Sequence, residues 1–488
     1  MYAIMLNFSR RTITLLLLLM TSFAGFTQKI WTLEDCINYA FDNNLDIKKQ
    51  VLNVELNKSQ LLQSALVMLP SLNANGTNIW NYGMTVDRYT NQFANVNVRS
   101  NNFNLSANMT LFNGLSMINT VQQNKINLLA SNYDLDVIKN NISLSVAGYY
   151  LDILFNTELL DVARNQISTT NDQINRIRKM VDAGSSAKGD LLNIQAQAAA
   201  EELTVVDAEN RLNISLISLQ QLIDLPVSKD FIVEKPQLKP VEAPKEVLTP
   251  EQIFDYSLNV RPEIKSADLR VQSAEKSLAI ARGKITPSLT FGGTWATGYS
   301  SAISQNVPGS AGDTTYVPFG TTDPLNPYDQ TKYVYAPDVK YPTQVTSFSD
   351  QLKQNENKSI GFNLSIPIYN GWQGRTAIKQ AKILKSQAEL DLEIQKRDLR
   401  KSIEQSYADA VAALKKYKSS EQKVAAQEES FKYTQQKFDV GMLTSFDFNT
   451  AKKDLTKAQS DLLQAKYDFI FKTTILDFYM GKPISINK

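Results

Sequence analysis

Val181-Asp182-Ala183-Gly184-Ser185-Ser186 and Phe438-Asp439-Val440-Gly441-Met442-Leu443 stand 257 positions apart, and each closes a long apolar repeat. Upstream of the first lie Val146, Ile153, Leu160, Ile167 and Ile174, spaced by seven; at the same offset before the second lie Ile403, Ala410, Tyr417, Val424 and Phe431. Downstream the spacing resumes at Leu191, Ala198, Val205, Leu212 and Leu219, and again at Phe448, Leu455, Leu462, Phe469 and Leu476. Sustained heptads without internal proline predict long α-helices packed as left-handed coiled coils. The glycine between the two series predicts a turn, since helices commonly end on a residue at positive φ. Each stretch therefore reads as an antiparallel helical hairpin with its tip at Gly184 or Gly441.

The duplication extends outward from the tips. At a shift of 217, Thr32, Glu34, Tyr39, Ile47 and Lys48 fall on Thr249, Glu251, Tyr256, Ile264 and Lys265, and Pro70-Ser71-Leu72 falls on Pro287-Ser288-Leu289. From Asn113-Gly114, which matches Asn370-Gly371, the shift is 257. The chain is thus one unit written twice, over residues 32–226 and 249–483, joined by a proline-bearing linker at 227–248. The second copy carries an insertion at 300–358 whose Pro, Gly, Ser, Thr and Tyr are loop composition. The predicted helix from Leu115 to Asp182 would run roughly 100 Å at 1.5 Å per residue. Shorter helices over 32–69 and 191–223 nearly equal that length end to end.

Between the helices the period changes to two. Leu105, Ala107, Met109 and Leu111 alternate with Asn104, Ser106, Asn108 and Thr110, and Phe362, Leu364, Ile366 and Ile368 alternate with Gly361, Asn363, Ser365 and Pro367. Strands are predicted over about 71–84, 102–112, 288–299 and 359–369, from alternation. One face is apolar and ends in aromatics such as Trp80, Tyr82 and Tyr299; the other is Asn, Ser, Thr and Gly. A soluble sheet shows the same alternation, but the aromatic girdle behind an export signal favours a membrane barrel. Four strands cannot close a barrel, for which about eight is the minimum, so several copies must pool their strands around an axis.

Composition removes most enzyme designs. The 488 residues include no His and a single Cys, which excludes histidine general-base chemistry, Ser-His-Asp triads, His-ligated metals and intrachain disulfides. No phosphate-cradling glycine loop is present, and a formal charge of +2 with no dense basic block gives no reason to expect nucleic acid. No enzyme activity, cofactor or metal is expected. Arg10 and Arg11, the apolar run Ile13 to Met20 and Ser22-Phe23-Ala24 predict a signal peptide over residues 1–24. Cys36, in Leu33-Glu34-Asp35-Cys36, reads as a buried helix residue.

The order helix, strand pair, long helix, glycine tip, returning helix, twice over, resembles the TolC-type outer-membrane efflux and secretion channel family. Its more specific marks are Thr32-Leu33-Glu34-Asp35-Cys36-Ile37-Asn38-Tyr39-Ala40, the Leu69-Pro70-Ser71-Leu72 junction, and Phe438-Asp439-Val440-Gly441 followed by Asp447. The resemblance covers essentially the whole mature chain. It implies a mainly α fold with a membrane β-barrel, in which a homotrimer forms a twelve-stranded barrel in the outer-membrane lipid and an α-helical barrel in the periplasm. It further implies a passive exit duct, served by a periplasmic adaptor and driven by an inner-membrane transporter. The cargo stays open among drug, metal ion, lipid and secreted protein.

The tips carry the candidate site residues. Gly184, Ser185, Ser186, Gly441, Met442 and Leu443 are the expected adaptor-docking positions, and Asp190, Asp447 and Phe438 the expected pore constriction. For the two acids a second reading stands beside the first: Thr444-Ser445-Phe446-Asp447 has the form of a capping box, and an acid in a first helical turn suits the helix dipole. Asp190 lacks such a cap residue. Some family members close the tip with an Arg two residues after the glycine; Ser186 and Leu443 occupy those positions here, and Phe438 replaces a common Tyr, so closure would rest more on packing. The insertion at 300–358 should face outside the cell. Two rivals remain, a periplasmic coiled-coil scaffold without a pore and a hydrolase using paired carboxylates.

Overall fold

A computed structural model of the chain describes residues 29–87, 89–91, 93–94, 97–228, 231–236 and 248–484. The signal peptide expected over residues 1–24 and most of the linker lie outside the described residues. The first copy runs β1 (Ile30–Trp31), α1 (Leu33–Asn43), α2 (Leu45–Leu66), β2 (Ser71–Asn81), β3 (Thr85–Val86), β4 (Phe93–Ala94), β5 (Val98–Asn113), α3 (Ser116–Asp182), α4 (Lys188–Leu222) and β6 (Ile232–Val233). The second runs α5 (Pro250–Val260), α6 (Pro262–Gly283), β7 (Ser288–Ser300), then β8 (Ser304–Asn306), β9 (Asp313–Thr321), β10 (Tyr333–Lys340), β11 (Thr343–Val345) and α7 (Phe348–Gln354). It closes with β12 (Asn357–Ser365), α8 (Gln373–Asp439) and α9 (Ser445–Tyr479). These elements fall into two compact units, one of residues up to 58, 126–272 and 386 onward, the other of residues 59–125 and 273–385.

The first unit is helical, and its core follows the heptads. Val146, Ile153, Leu160, Leu219, Ile403, Val424, Phe448 and Phe469 are all buried. Towards the tip of the first hairpin the buried line passes to Ala163, Thr170 and Ile177, the alternate seam of the same coiled coil. Both entry helices open on a capping box, Thr32 with Asp35 and Thr249 with Gln252, which satisfies backbone donors that a helix start leaves unpaired. Cys36 is fully buried, and burial pushes its thiol up to about 12, so it is an inert core residue.

The single helix expected over 32–69 is two helices. Asn44 leaves helical geometry at ψ 130°, its Oδ1 accepts from Asp46 N and Ile47 N, and its Nδ2 donates to Leu222 O at 2.9 Å. In the second copy Arg261 occupies the matching joint, before Pro262, and its guanidinium donates to Phe478 O at 3.3 Å. Both joints break the entry helix where it meets the end of the returning helix, whose last carbonyls lack intrahelical donors. The linker expected at 227–248 also begins with structure, because β6 pairs in parallel with β1.

The second unit is built on an antiparallel sheet of order β12-β7-β5-β2. Its registers align Asn73, Ser106, Thr294 and Ser359 across four strands, and Asn75, Asn104, Ala296 and Asn357 likewise. The alternate rows align Ala74, Leu105, Trp295 and Lys358, and Met109, Phe291 and Phe362. One face is therefore small, polar and uncharged along these rows and the other mostly apolar. A bulge between Thr110 and Phe112 sets Phe112, not Leu111, opposite Leu289. The strand expected over 359–369 is Asn357–Ser365, which leaves Ile366 and Ile368 beyond it.

Region 300–358 is more ordered than its composition suggests. β8 pairs with β11, β9 with β10, and α7 carries the buried Gln351. That amide donates to Ser300 O and Thr346 O and accepts from Ser300 N, so it knits the insertion to the end of β7.

The glycines after the two strand pairs differ in surroundings. Gly114 (φ +66°) lies where a Cβ would sit 2.5 Å from Gly283 O, whereas a Cβ at Gly371 (φ +60°) meets nothing within 4 Å. Gly371→Ala is expected to cost about 1–2 kcal/mol from left-handed strain alone. Gly114→Ala adds a backbone clash and is expected to cost distinctly more, as read by thermal unfolding of the two variants side by side.

Candidate functional site: the hairpin tips and the seam behind them

Both tips end in the same backbone motif. Gly184 (φ +75°) donates to Val181 O and Ser185 N to Met180 O; Gly441 (φ +78°) donates to Phe438 O and Met442 N to Lys437 O. This pairing satisfies the last carbonyls of α3 and α8 and requires a residue without a Cβ penalty at the turn. Met442 is 76% exposed, and open space surrounds both glycines.

The returning helices start differently. Thr444 Oγ1 accepts from Asp447 N and donates to its carboxylate at 2.7 Å, a capping box that engages Asp447 in the helix end. At α4 the N-cap is Ala187, which provides no side-chain cap. Asp190 instead accepts from Ser186 Oγ at 3.0 Å and from Ser445 Oγ at 3.4 Å, so it links the first tip to the second. Phe438 lies within its own hairpin, its ring 4.7 Å from that of Phe448, which also packs at a tilt against Phe431.

No Arg follows either tip glycine, yet an ion pair joins the two hairpins. Arg176, on α3, contacts Asp439 at the end of α8 at 2.5 Å and also donates to the Asp439 carbonyl at 3.2 Å. Both side chains are more than a third exposed, where such a pair contributes about 0–1 kcal/mol. It positions the tips rather than stabilising the fold.

Further from the tips lies a buried polar cluster that the heptad pattern by itself does not single out. Lys452 of α9 donates to Gln166 O at 2.8 Å, to Thr170 Oγ1 and to Glu201 of α4 at 3.3 Å. Glu201 also accepts from Thr170 Oγ1, from Gln166 at 3.1 Å and from Gln197 at 3.0 Å. The Lys452 and Glu201 side chains are 7% and 5% exposed. Burial lowers the Lys452 pKa, and Glu201 offsets part of that shift. A signal was available: Thr170 and Glu201 each stand three residues after a heptad position, Ile167 and Ala198, and Lys452 four after Phe448, all in the inward seam. Their repeat counterparts are Gln427, Ala458 and Gln195, so this lock exists once per chain.

Among the described residues no cluster of metal-ligating side chains occurs, and no helix is long and apolar enough to cross a membrane. Long helical hairpins and an open four-stranded antiparallel sheet, built from a unit written twice, define the fold class. The family profile described as outer membrane efflux protein matches residues 36–224 and 254–482, and the chain belongs to that family, whose place is the outer membrane and whose class is the efflux or secretion channel. The chain is 22% identical over 322 residues to outer membrane protein TolC of Vibrio cholerae, a match covering 66% of this chain and 63% of that protein. It is 21% identical to alkaline protease secretion protein AprF of Pseudomonas aeruginosa, covering 66% and 57%. The chain thus spans about three-fifths of the length of these relatives. In fold it is similar to the outer membrane protein VceC of Vibrio cholerae (TM-score 0.69, 14% identity, 93% and 97% covered) and to the CmeC outer membrane channel of Campylobacter jejuni (TM-score 0.70, 14% identity, 93% and 87% covered).

Removing one partner of a buried ion pair strands the other without compensation and typically costs about 3–5 kcal/mol, while replacing both with apolar residues is often neutral. Lys452→Met alone is therefore expected to destabilise the helical unit by about 3–5 kcal/mol, and Glu201→Leu combined with Lys452→Met to recover most of that loss. Chemical unfolding followed by helical circular dichroism measures both.

Proposed function

We propose that three copies of this chain close into one tube that serves as the exit duct of a tripartite efflux or type I secretion system. The observation that carries the reading is the sheet: β2 and β12 are both edge strands, they run antiparallel to one another, and among the described residues neither edge has a partner. In lipid each unpaired backbone group costs several kcal/mol, so the edge of one copy must pair with the opposite edge of the next. Twelve strands then form a barrel in which every pairing is antiparallel. Ile360, Phe362 and Leu364 are 77%, 69% and 61% exposed in the single chain, which suits lipid and disfavours a soluble scaffold.

The Asn, Ser, Thr and Gly rows then face the lumen, a wet, uncharged passage with little chemical selectivity. Such a duct is passive, and an inner-membrane transporter supplies energy and cargo choice through a periplasmic adaptor. The tips are the proposed adaptor-docking surface, with Gly184, Ser185, Gly441 and Met442 exposed and Ser186 and Leu443 half-buried. Asp190 and Asp447 form the proposed charged constriction, and Phe438, packed on Phe448, fixes the width of the hairpin that carries Asp447.

Phe362→Arg is expected to destabilise the assembled barrel by about 2–4 kcal/mol, whereas Asn363→Arg, on the opposite face, should be tolerated. Heat-resistant oligomer in outer-membrane extracts reads this difference, and equal damage from both would overturn the assignment of faces. For the constriction, Asp190→Asn with Asp447→Asn keeps size and some capping while removing charge. Single-channel recording should then show loss of cation preference at unchanged thermal stability; an unchanged preference would leave these acids with helix-end roles only.

A further inference from the structure

We propose that the turn between β3 and β4 is folded into the duct at its outer mouth and tethered there through Tyr89 and Asp87, so that each copy contributes to a second constriction that limits passage by size. The inference rests on the closure proposed above, in which the polar rows of the sheet face the lumen. β5 runs on into α3 and β7 follows α6, so the start of β5 and the end of β7 are the strand ends remote from those helices. There Asn102 stands opposite Gly298 and Ser100 opposite Ser300, on the face that also carries Asn104 and Ser106. Both strands are inner strands of the sheet, so their side chains point to one face or the other.

The turn crosses that polar face from one strand to the next. The Tyr89 hydroxyl donates to Asn102 Oδ1 of β5 at 2.6 Å, and the Ser300 hydroxyl of β7 donates to Asp87 Oδ2. Gly298 makes room for the tether: a Cβ there would sit 1.8 Å from the Tyr89 hydroxyl oxygen and 2.4 Å from Asn101 O. The turn is also held from within. Asp87, 2% exposed, accepts from Tyr89 N at 3.0 Å and from Thr90 N at 2.8 Å, and Asn91 N donates to Asp87 O at 2.8 Å. A carboxylate is buried at tolerable cost only where donors surround it, so this one fixes the turn to the wall. The opposite face of the same two strands is covered by α7, whose Phe348 ring lies 5.4 Å from that of Tyr299 and 6.4 Å from that of Phe103, both in the apolar rows. Helix on the apolar side and turn on the polar side thus grip one strand pair, which leaves the turn inside the barrel once the sheet closes.

The test uses intact cells that produce the full chain with Asn108→Cys, an exposed position six residues beyond Asn102 on the polar face of β5. Cys36 is the only native thiol and is fully buried, so the introduced one reacts without background. Maleimides carrying polyethylene glycol of increasing mass, added from outside, should label the thiol of Asn108→Cys only up to a cut-off mass. Tyr89→Phe with Ser300→Ala removes both bonds to the wall and leaves the turn's own bonds in place, so it should raise that cut-off while the oligomer stays heat-resistant. Should that pair weaken the oligomer, Tyr89→Ala, which leaves every strand residue intact, is expected to raise the cut-off as well. An unchanged or lower cut-off in a heat-resistant oligomer would overturn the outer constriction. Failure of the smallest maleimide to reach the thiol in every variant would instead overturn the assignment of the polar face to the lumen, and with it the closure itself.

Discussion

Unpaired backbone at the margins of a four-stranded sheet governs the rest of this molecule. β2 and β12 expose rows of amide and carbonyl groups, and nothing else described in the chain covers them. In water such edges invite aggregation; in lipid they are prohibitive. The apolar rows through Leu105, Phe291 and Phe362 have the same limitation, being stable only against a non-aqueous neighbour or another copy. In the proposed assembly the single chain is a segment of wall rather than a finished structure.

The helical unit solves a different problem with the same duplicated sequence. A strict seven-residue repeat imposes a left-handed supercoil, which lets 67-residue helices such as α3 and α8 keep one stripe against their partners. The joints at Asn44 and Arg261 break each entry helix where it meets the end of the returning one. Each side chain reaches a terminal carbonyl of the returning helix, and Asn44 also accepts from the first amides of the helix that follows it. The turns are closed by backbone motifs, to which the Ser185 hydroxyl adds a bond to Met180 O, while Ser186, Asp190 and Ser445 are tied to one another.

Much of this was legible because it is periodic. The heptads located the hairpins, and Gly184 and Gly441 their turns; the alternation in 104–111 and 361–368 separated the two strand faces. What escaped the reading was aperiodic. The Asn44 break depends on a side chain that bonds Leu222, far away in sequence, although Pro262 marked its counterpart. Lys452 and Glu201 stay hidden in the sequence because each is unremarkable until the other is placed beside it. Residues 300–358 have loop composition, yet Gln351 and the paired strands order them through bonds that no local pattern announces. At the tips, Asp447 appears in its capping box as its spacing allowed, while the Ser445 hydroxyl beside Asp190 had no signal at all.

Fusing two copies into one polypeptide also frees their matched positions to evolve apart. Glu201 and Ala458 occupy equivalent slots, as do Gln195 and Lys452, so a single gene has installed opposite charges at sites that an unfused repeat would be obliged to keep identical. The route there was constrained, because either charge arriving first would have been buried without its counterpart. The cluster is consequently an epistatic trap: each residue is now held in place by the other, and drift at one is blocked unless both change together. Homologues that lack the pair are therefore expected to lack both members.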